Sequence, residues 1–213
     1  MAVELAVSFE VIIVNDGSPD NIIEVVSTMM ETRPFLRLVN HGVNKGYGSA
    51  LRTGFSESRG DLIFYTDGDA QYDIRDLKKL FSKMSPTVDV VNGYKKSRAD
   101  GIGRAVIGCT YNLLARIFFR IPIRDVDCDF RLMRAAAIKL ISLEATSGVI
   151  CTEMIYKLAR SGARFDEVAV THLPREFGAS QFFTFRRVSK TLIDFFTLWF
   201  HLVVLRASIY AAK

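Results

Sequence analysis

One run of residues sets the architecture of this chain: Leu62-Ile63-Phe64-Tyr65-Thr66-Asp67-Gly68-Asp69-Ala70-Gln71-Tyr72-Asp73. Its first half is apolar and rich in residues that favour strands, so it predicts a short strand that is buried on both faces. The apolar character ends at Asp67, which places two carboxylates at the carboxyl end of that strand. In an open α/β sheet, ligands bind at this end of the strands.

Asp67 and Asp69 are two residues apart, so an extended backbone points both carboxylates in the same direction. With the carbonyl oxygen of Gln71 they form an oxygen-only ligand set that suits Mg²⁺ or Mn²⁺, the ions that accompany diphosphates. Asp-Gly-Asp is also common in ordinary turns. The residues alone therefore leave two interpretations of this segment, a metal site and a turn.

Strands and helices alternate along the rest of the chain. Further strands are predicted at residues 9–14, 35–39, 88–92 and 163–172, the last as an edge strand. Helices are predicted at residues 22–31, 48–58, 74–83, 102–119 and 153–160. Alternation of strand and helix at this spacing predicts a parallel α/β sheet.

The composition is that of a globular protein, and 213 residues suffice for one substantial domain. The net charge of +5 suggests an anionic partner, for which nucleotide phosphates, acidic lipid and nucleic acid all qualify. Nucleic acid is disfavoured because the basic residues are scattered and no helix-turn-helix or zinc-finger spacing occurs. The cysteines, Cys109, Cys128 and Cys151, are far apart, which fits a reducing cytoplasmic environment. The N-terminus has no signal-peptide pattern.

Two more segments bring polar groups to the predicted ligand-binding edge. Asp16 follows the strand at residues 9–14, where its carboxylate could bind a base or a ribose hydroxyl, or simply stand in a turn. The loop Asn44-Lys45-Gly46-Tyr47-Gly48 places a lysine and two glycines at a helix start, where backbone N–H groups and the helix dipole favour an anion. Its spacing is not that of a Walker loop, and an exposed lysine in a flexible loop is the alternative.

Taken together, these motifs resemble the family 2 glycosyltransferases, most closely the dolichyl-phosphate mannosyltransferase and polyprenyl-phosphate sugar transferase branch. The likeness extends over residues 9–182 and is carried by Val14-Asn15-Asp16-Gly17-Ser18, Asn44-Lys45-Gly46, Ala50-Leu51-Arg52-Thr53-Gly54-Phe55, Gly60-Asp61 and Thr66-Asp67-Gly68-Asp69-Ala70-Gln71. It implies a glycosyltransferase A-type, Rossmann-like α/β fold with a mostly parallel sheet and helices on both faces. It also implies a nucleotide-sugar donor and a divalent metal, Mg²⁺ or Mn²⁺.

The resemblance assigns roles to residues of this chain. Donor binding falls to Asp16, Lys45, Gly46 and Asp67. The metal and the donor diphosphate fall to Asp67, Asp69 and Gln71. The implied reaction transfers a sugar to a polyprenyl phosphate or a related membrane acceptor, and a phosphate acceptor is already ionised near neutral pH. Acceptor and phosphate binding therefore fall to Arg104, Arg131, Arg175 and Ser180.

Three segments of the second half fit the same family. Residues 123–132 end in Phe130-Arg131-Leu132, like the family's acceptor-side segment, although a salt-bridged surface turn is the alternative. Glu153 matches a glutamate of the family's active-site wall, or it helps the helix dipole from the first turn. Residues 174–181 resemble an Arg-x-x-Gly-x-Ser-Lys loop that closes over the phosphates in relatives, with Gln181 in place of lysine, or form an ordinary connection. For a hydroxyl acceptor, the candidate bases are Asp127, Asp129 and Glu153.

The chain also departs from the family pattern. Residues 1–8 lack the Pro-x-x-Asn-Glu strand with which the family begins, so the usual first strand is expected to be missing. Asn15 stands where aspartate is common, and Gly108 and Cys109 stand where close mannosyltransferase relatives carry serine and arginine. These departures keep a second function open, that of a catalytically impaired, nucleotide-sugar-binding or scaffolding relative at a membrane.

The sequence divides into a predicted glycosyltransferase domain, residues 1–182, and a helical tail, residues 183–213. Residues 191–205 are almost wholly apolar, with a narrow polar stripe, and are fewer than the ~20 needed to span a bilayer. We expect a helix in the membrane interface, with Trp199 at its boundary and Arg186, Arg187 and Lys190 near lipid headgroups. Packing of this helix on the domain's own core is the alternative. The expected location is cytoplasmic, peripheral to or anchored at the cytoplasmic face of a membrane.

Overall fold

The computed structural model of this protein describes residues 8–96, 102–174 and 185–206, without the side chains of residues 102, 104, 105 and 185–187. These ranges contain six strands: β1 (Val11–Asn15), β2 (Leu36–Asn40), β3 (Leu62–Thr66), β4 (Val90–Lys95), β5 (Phe130–Arg134) and β6 (Phe165–Val170). They also contain seven α-helices: α1 (Ile22–Thr32), α2 (Tyr47–Glu57), α3 (Leu77–Lys83), α4 (Ile102–Phe119), α5 (Ala135–Lys139), α6 (Ile150–Arg160) and α7 (Phe185–Trp199). The expectation about a missing first strand concerns the start of the chain, and residues 1–7 lie outside the described part.

The strands form two hydrogen-bonded groups within the described residues. β1 pairs in parallel with β2, with Val11 opposite Leu36. The other four strands follow the order β3-β5-β4-β6, in which β4 and β6 are parallel and β5 runs antiparallel to both β3 and β4. The α/β class predicted from the sequence is confirmed, and β6 is an edge strand of this group as expected. β5 adds antiparallel pairings that the sequence analysis did not predict.

β5 lies where the sequence suggested either an acceptor-side segment or a salt-bridged surface turn. Its first four residues, Phe130 to Met133, are all buried. Tyr65 and Asn92, on the two neighbouring strands, both stand opposite Arg131. The surface-turn interpretation therefore fails for residues 130–132, which belong to a buried strand between β3 and β4, whereas residues 123–129 lie outside the strand and include the ion pairs Arg124–Glu167 and Lys95–Asp127.

The four-stranded group is covered on both faces, which fixes the position of β3. On one face, Ile63 and Tyr65 pack with Phe55 of α2 and with Met154 and Leu158 of α6. On the other face, Leu62 and Phe64 pack in a cluster that includes Leu77 and Leu80 of α3. Burial of one such aliphatic side chain contributes about 1.5–3 kcal/mol. β3 is thus covered on both faces, as its composition predicts, although it stands at the outer end of the strand order.

One face of α7 belongs to a third cluster of buried residues. Phe195 is fully buried, and it packs with Phe119 of α4 and Ile155 of α6. The indole N–H of Trp199 donates to the backbone oxygen of Phe118 over 3.1 Å. The alternative considered for this helix, packing on the domain's own core, therefore describes one of its faces.

The opposite face of α7 is apolar and exposed. Ile193, Phe196 and Phe200 are 66%, 43% and 49% exposed, and Phe118 joins them to α4 by a ring contact of 5.4 Å with Phe196. We use the name α4–α7 face for six exposed apolar residues: Val106, Leu113 and Ile117 of α4, Ile193 and Phe196 of α7, and Phe200 directly after α7. Among the described helices, none combines the length and the apolar character that crossing a bilayer demands.

The polar stripe of α7 borders a cleft at the protein surface. Lys190 and Asp194 form an ion pair of 2.7 Å. Together with Thr197 and His201 they border a cavity of about 330 Å³, whose other wall is formed by residues 144–149. Lys190 thus pairs with Asp194 while its side chain stays 67% exposed, so its expected contact with lipid headgroups remains a prediction.

Candidate functional site

The end of β3 brings two carboxylates to the carboxyl edge of the sheet. Asp67 and Asp69 are both partly buried, and Ala70 adopts a left-handed backbone conformation with φ of 57°. The hydroxyl group of Tyr47 donates to Oδ1 of Asp67 over 3.1 Å. Oδ1 of Asp69 accepts from the backbone N–H of Gln71 over 3.2 Å. The two residues thus lie together in a tight turn, and neighbouring groups hold both carboxylates in place.

Negative charge accumulates at this edge. Burial raises the pKa of Asp67 well above its ordinary value, and the carboxylates of Asp129 and Asp69 raise it further, while the hydrogen bond from Tyr47 opposes them. Burial likewise raises the pKa of Asp129, against the opposing effect of Arg131 and Lys95. A cation placed between such carboxylates favours their ionised forms.

The donor set at this edge fits Mg²⁺ or Mn²⁺. A small hard ion of this kind is usually bound by one or two carboxylates together with phosphate oxygens and water. Among the described residues, no group of three histidine, cysteine, aspartate or glutamate side chains is arranged to hold a metal by itself. Asp67 and Asp69 therefore suit a metal whose remaining ligands come from a bound diphosphate.

Gln71, the third predicted metal ligand, has a different role. Its backbone oxygen accepts from the N–H of Leu173 over 2.7 Å, and its side-chain amide donates to the oxygen of Leu173 over 3.3 Å. Tyr72 forms an isolated antiparallel bridge with His172. The prediction that Gln71 offers a carbonyl to the metal is not supported, because that carbonyl fastens residues 172–173 to the turn after β3.

Asp16 lies after β1, and its carboxylate is already occupied. Oδ1 accepts from the backbone N–H of Lys45 over 2.9 Å and lies 2.7 Å from Nδ1 of His41, while Oδ2 accepts from the N–H of Gly46 over 2.9 Å. Burial alone would raise the pKa of Asp16, but these hydrogen bonds lower it. The anion that the loop N–H groups bind is therefore Asp16 itself. The predicted contact of Asp16 with the nucleoside is not supported.

Gly46 and Gly48, in the loop whose N–H groups bind Asp16, let residues 145 and 146 approach closely. A Cβ atom at Gly46, where φ is 96°, would lie 2.6 Å from the oxygen of Thr146, and one at Gly48 would lie 2.2 Å from the oxygen of Ala145. The N–H of Gly48 donates to the oxygen of Thr146 over 2.8 Å. Gly46 thus contributes to the site because its lack of a side chain leaves room for the backbone of Thr146.

Lys45 is exposed and lines an open cleft of about 380 Å³ with His41, Ser49, Arg52, Thr53 and Ser56.

Glu153 does not form an accessible wall of the site. Its side chain is 1% exposed and lies 2.7 Å from Nζ of Lys157, whose side chain is also 1% exposed. Its carboxylate accepts from the N–H of Glu144 over 3.0 Å and from that of Ala145 over 2.8 Å. Nζ of Lys157 donates to the oxygen of Ser142 over 2.6 Å. The proposed base role of Glu153 is therefore not supported, since this carboxylate holds the loop that packs on Gly46 and Gly48.

Arg131, predicted to bind an acceptor phosphate, is fully buried. Its Nε donates to the side-chain oxygen of Asn92, one terminal nitrogen donates to the hydroxyl of Tyr65 over 2.8 Å, and the other donates to the oxygen of Val126 over 3.2 Å. The guanidinium group therefore positions residues 126–128 through hydrogen bonds to the backbone oxygens of Val126 and Cys128. The prediction of a phosphate contact is not supported, because internal groups already occupy the guanidinium.

The two remaining acidic candidates lie close to the site. Asp127 has a side chain that is 35% exposed, accepts from Nδ2 of Asn112 over 2.6 Å, and lies 3.8 Å from Nζ of Lys95. Asp129 lies 3.4 Å from the sulfur of Cys151, and the carboxylates of Asp129 and Asp67 influence each other's ionisation.

Arg104 lies in α4, but its side chain, like the whole of Arg175 and Ser180, lies outside the described residues.

Tyr47, His41 and Asn112 contribute to the site although the sequence analysis gave them no role. Asn112 organises the loop after α4 by donating to Asp127 and accepting from the N–H of Val126 over 2.6 Å. A residue of this kind acts through contacts between distant segments, which a single sequence does not display. Tyr47 had one signal, its place inside the Gly46-to-Gly48 loop.

Comparison with known proteins supports the resemblance. The family described as "Glycosyl transferase family 2" matches residues 5–141. A dodecaprenyl-phosphate galacturonate synthase of Rhizobium johnstonii is 29% identical over 202 residues, which are 90% of this chain and 57% of the relative. An undecaprenyl-phosphate 4-deoxy-4-formamido-L-arabinose transferase of Pseudomonas aeruginosa is 29% identical over 86% of this chain and 53% of its own length. The chain thus spans little more than half the length of these relatives.

Solved structures share the fold. A glucosyl-3-phosphoglycerate synthase of Mycobacterium tuberculosis, in complex with Mn²⁺, UDP and phosphoglyceric acid, superposes with a TM-score of 0.66 at 14% identity, over 89% of this chain and 67% of that one. A mannosyltransferase of Pyrobaculum calidifontis, in complex with GDP-Man and Mn²⁺, gives a TM-score of 0.56 at 22% identity, over 79% of this chain and 49% of that one. The glycosyltransferase A-type fold expected from the sequence is confirmed.

Proposed function

Because this chain belongs to glycosyl transferase family 2, we propose that it transfers a sugar from a nucleotide diphosphate sugar to a polyprenyl phosphate or a related membrane acceptor. The observation that carries this proposal is the pair Asp67 and Asp69 at the end of β3, beside the loop that begins α2. The relatives named for polyprenyl-phosphate sugar transfer support the choice of acceptor.

Asp67 and Asp69 would hold Mg²⁺ or Mn²⁺, and their geometry prepares them for it. When bound, such an ion neutralises the negative charge that develops on the departing diphosphate. Tyr47 fixes one oxygen of Asp67, and the turn at Ala70 fixes Asp69. Lys45, exposed two residues before Tyr47, supplies a cation for the donor phosphates.

The residues needed on the acceptor side depend on whether a phosphate or a hydroxyl group receives the sugar. A phosphate acceptor needs orientation rather than deprotonation, and Arg104, Arg175 and Ser180 remain the proposed groups that bind it or the donor phosphates. Arg175 follows Leu173 by two residues, and Leu173 is fastened to Gln71 beside the metal carboxylates. For a hydroxyl acceptor, Asp127 and Asp129 remain candidate bases.

The α4–α7 face supports attachment to the cytoplasmic surface of a membrane. Its six apolar side chains are exposed, and the two helices contact each other through the rings of Phe118 and Phe196. α4 contains no acidic residue, and Arg116 and Arg120 are exposed near its end. An apolar surface flanked by arginines is suited to lie at the level of anionic headgroups, with the apolar side chains entering the acyl region. Peripheral attachment would bring the site to a lipid-borne acceptor.

The proposal is tested by turnover. The protein is incubated with Mn²⁺, a panel of UDP- and GDP-sugars, and vesicles that contain polyprenyl phosphate, and the glycolipid is measured. We expect transfer from at least one donor, and its loss in Asp69→Ala. Metal-dependent binding of a sugar nucleotide without any transfer would instead support the catalytically impaired, scaffolding alternative, which Gly108 and Cys109 favour.

A further inference from the structure

We propose that Tyr47 is a positioning residue for the metal, which holds the carboxylate of Asp67 in its ligating orientation. This proposal rests on the proposed function, because it concerns the same metal site. The hydroxyl of Tyr47 donates to Oδ1 of Asp67 over 3.1 Å across 20 residues of sequence. It thereby links the loop that begins α2 to the turn that ends β3.

The backbone of Tyr47 is fixed on both sides. The preceding N–H, that of Gly46, donates to Asp16, and the following N–H, that of Gly48, donates to Thr146. Residues 145 and 146 lie so close to Gly46 and Gly48 that no Cβ fits at either position. The tyrosine ring therefore starts from a backbone with little freedom, and its hydroxyl reaches a defined point.

That point lies among carboxylates that repel one another. Asp69 lies two residues after Asp67, and Asp129 is a second acidic neighbour that acts on the ionisation of Asp67. A hydrogen bond from a fixed donor favours the ionised form of such a carboxylate and restrains its orientation. By occupying Oδ1 of Asp67, Tyr47 leaves Oδ2 for a cation.

Groups that orient a metal ligand contribute to metal affinity although they do not touch the metal. Their removal typically weakens binding by 10–100-fold. Tyr47→Phe deletes the hydroxyl and keeps the ring, so packing at the start of α2 is preserved. We expect the variant to fold normally and to bind Mn²⁺ roughly 10-fold more weakly.

The matched control is Tyr156→Phe. The hydroxyl of Tyr156 donates to the backbone oxygen of Leu202 over 3.3 Å, so it belongs to the packing of α6 against the short π-helix Phe200–Val204 that follows α7. This variant loses a hydroxyl of the same kind and contacts neither Asp67 nor Asp69. Its Mn²⁺ affinity is expected to equal that of the wild type.

The experiment is titration of Mn²⁺ into the full chain by calorimetry, alone and with UDP or GDP at saturation. The proposal is supported if the dissociation constant for Mn²⁺ rises roughly 10-fold in Tyr47→Phe and stays unchanged in Tyr156→Phe. It is overturned if wild type and Tyr47→Phe bind Mn²⁺ equally, and the proposed function then stands. If the wild type binds no Mn²⁺ under either condition, both the positioning role and the metal-dependent function fail.

Discussion

Replacing Glu153 by glutamine leaves the ammonium group of Lys157 buried without its carboxylate. Both side chains are 1% exposed, and the carboxylate also accepts from two backbone N–H groups of the loop at residues 144–145. Removing one partner of such a buried pair costs about 3–5 kcal/mol. For a protein of this length, that corresponds to a fall in Tm of roughly 6–20 °C.

Urea denaturation and a thermal scan measure this effect. The double variant Glu153→Gln with Lys157→Met should regain at least half of the lost stability, because it removes the unpaired cation and keeps the side-chain volume. Glu144→Gln is the control, since Glu144 is 76% exposed and lies 3.9 Å from Lys157. Its stability should change by less than about 0.5 kcal/mol.

The same variant decides between a structural carboxylate and a general base. A base role predicts that Glu153→Gln unfolds at the wild-type temperature and yet loses roughly 100-fold or more in turnover. That combination would show the structural interpretation to be wrong. We expect the reverse: a marked loss of stability, with residual turnover at low temperature in the molecules that remain folded.

Three further perturbations give distinct results. Gly48→Ala should lower the free energy of unfolding by about 1–3 kcal/mol in urea, because its methyl group would meet the backbone oxygen of Ala145 at 2.2 Å. Asp16→Asn should lower the stability near neutral pH and make the stability depend less on pH in the acid range. The reason is that the pKa of Asp16 is lowered in the folded state. The ionised carboxylate therefore stabilises the fold above the ordinary aspartate pKa, and this stabilisation is lost as the pH falls through the pKa of the folded state. Phe196→Glu should weaken binding to anionic vesicles several-fold in a sedimentation assay, because it places a carboxylate on the exposed α4–α7 face.

Each of these has its own control and its own contrary outcome. Gly103→Ala adds a methyl group where nothing lies within 4 Å, so a similar loss there would remove the steric explanation for Gly48. An acid profile of Asp16→Asn that parallels the wild type would mean that Asp16 does not couple to folding. Val25→Glu changes an exposed apolar residue of α1. An equal loss of vesicle binding in that variant would show that the α4–α7 face is not the membrane-binding surface.

The sequence was most informative where chemistry and strand ends coincide. The apolar run before Asp67 predicted β3, and the Asp-Gly-Asp turn at its end lies at the expected sheet edge. The alternation of strands and helices predicted the fold class and five of the six described strands. The sixth, β5, was missed because arginines at both ends of Arg131-to-Arg134 suggest a surface segment, and the burial of Arg131 depends on Tyr65 and Asn92 from other strands.

The site predictions that the structure does not support share one physical feature. Asp16, Gln71 and Arg131 are residue types that bind ligands, but in this fold their polar atoms are taken by groups of the chain itself. Such competition depends on tertiary contacts that the sequence does not display. Glu153 is different, because its spacing of four residues from Lys157 on a helix is a readable sign of an ion pair.

The metal site at the end of β3 can be observed directly in crystals soaked with Mn²⁺ and UDP. X-ray data collected at the manganese absorption edge would locate the ion by its anomalous scattering. We predict one strong peak within bonding distance of the carboxylates of Asp67 and Asp69, next to the diphosphate, and no such peak in Asp69→Ala. Bound UDP with its diphosphate away from these carboxylates, and no manganese beside them, would contradict the proposed function.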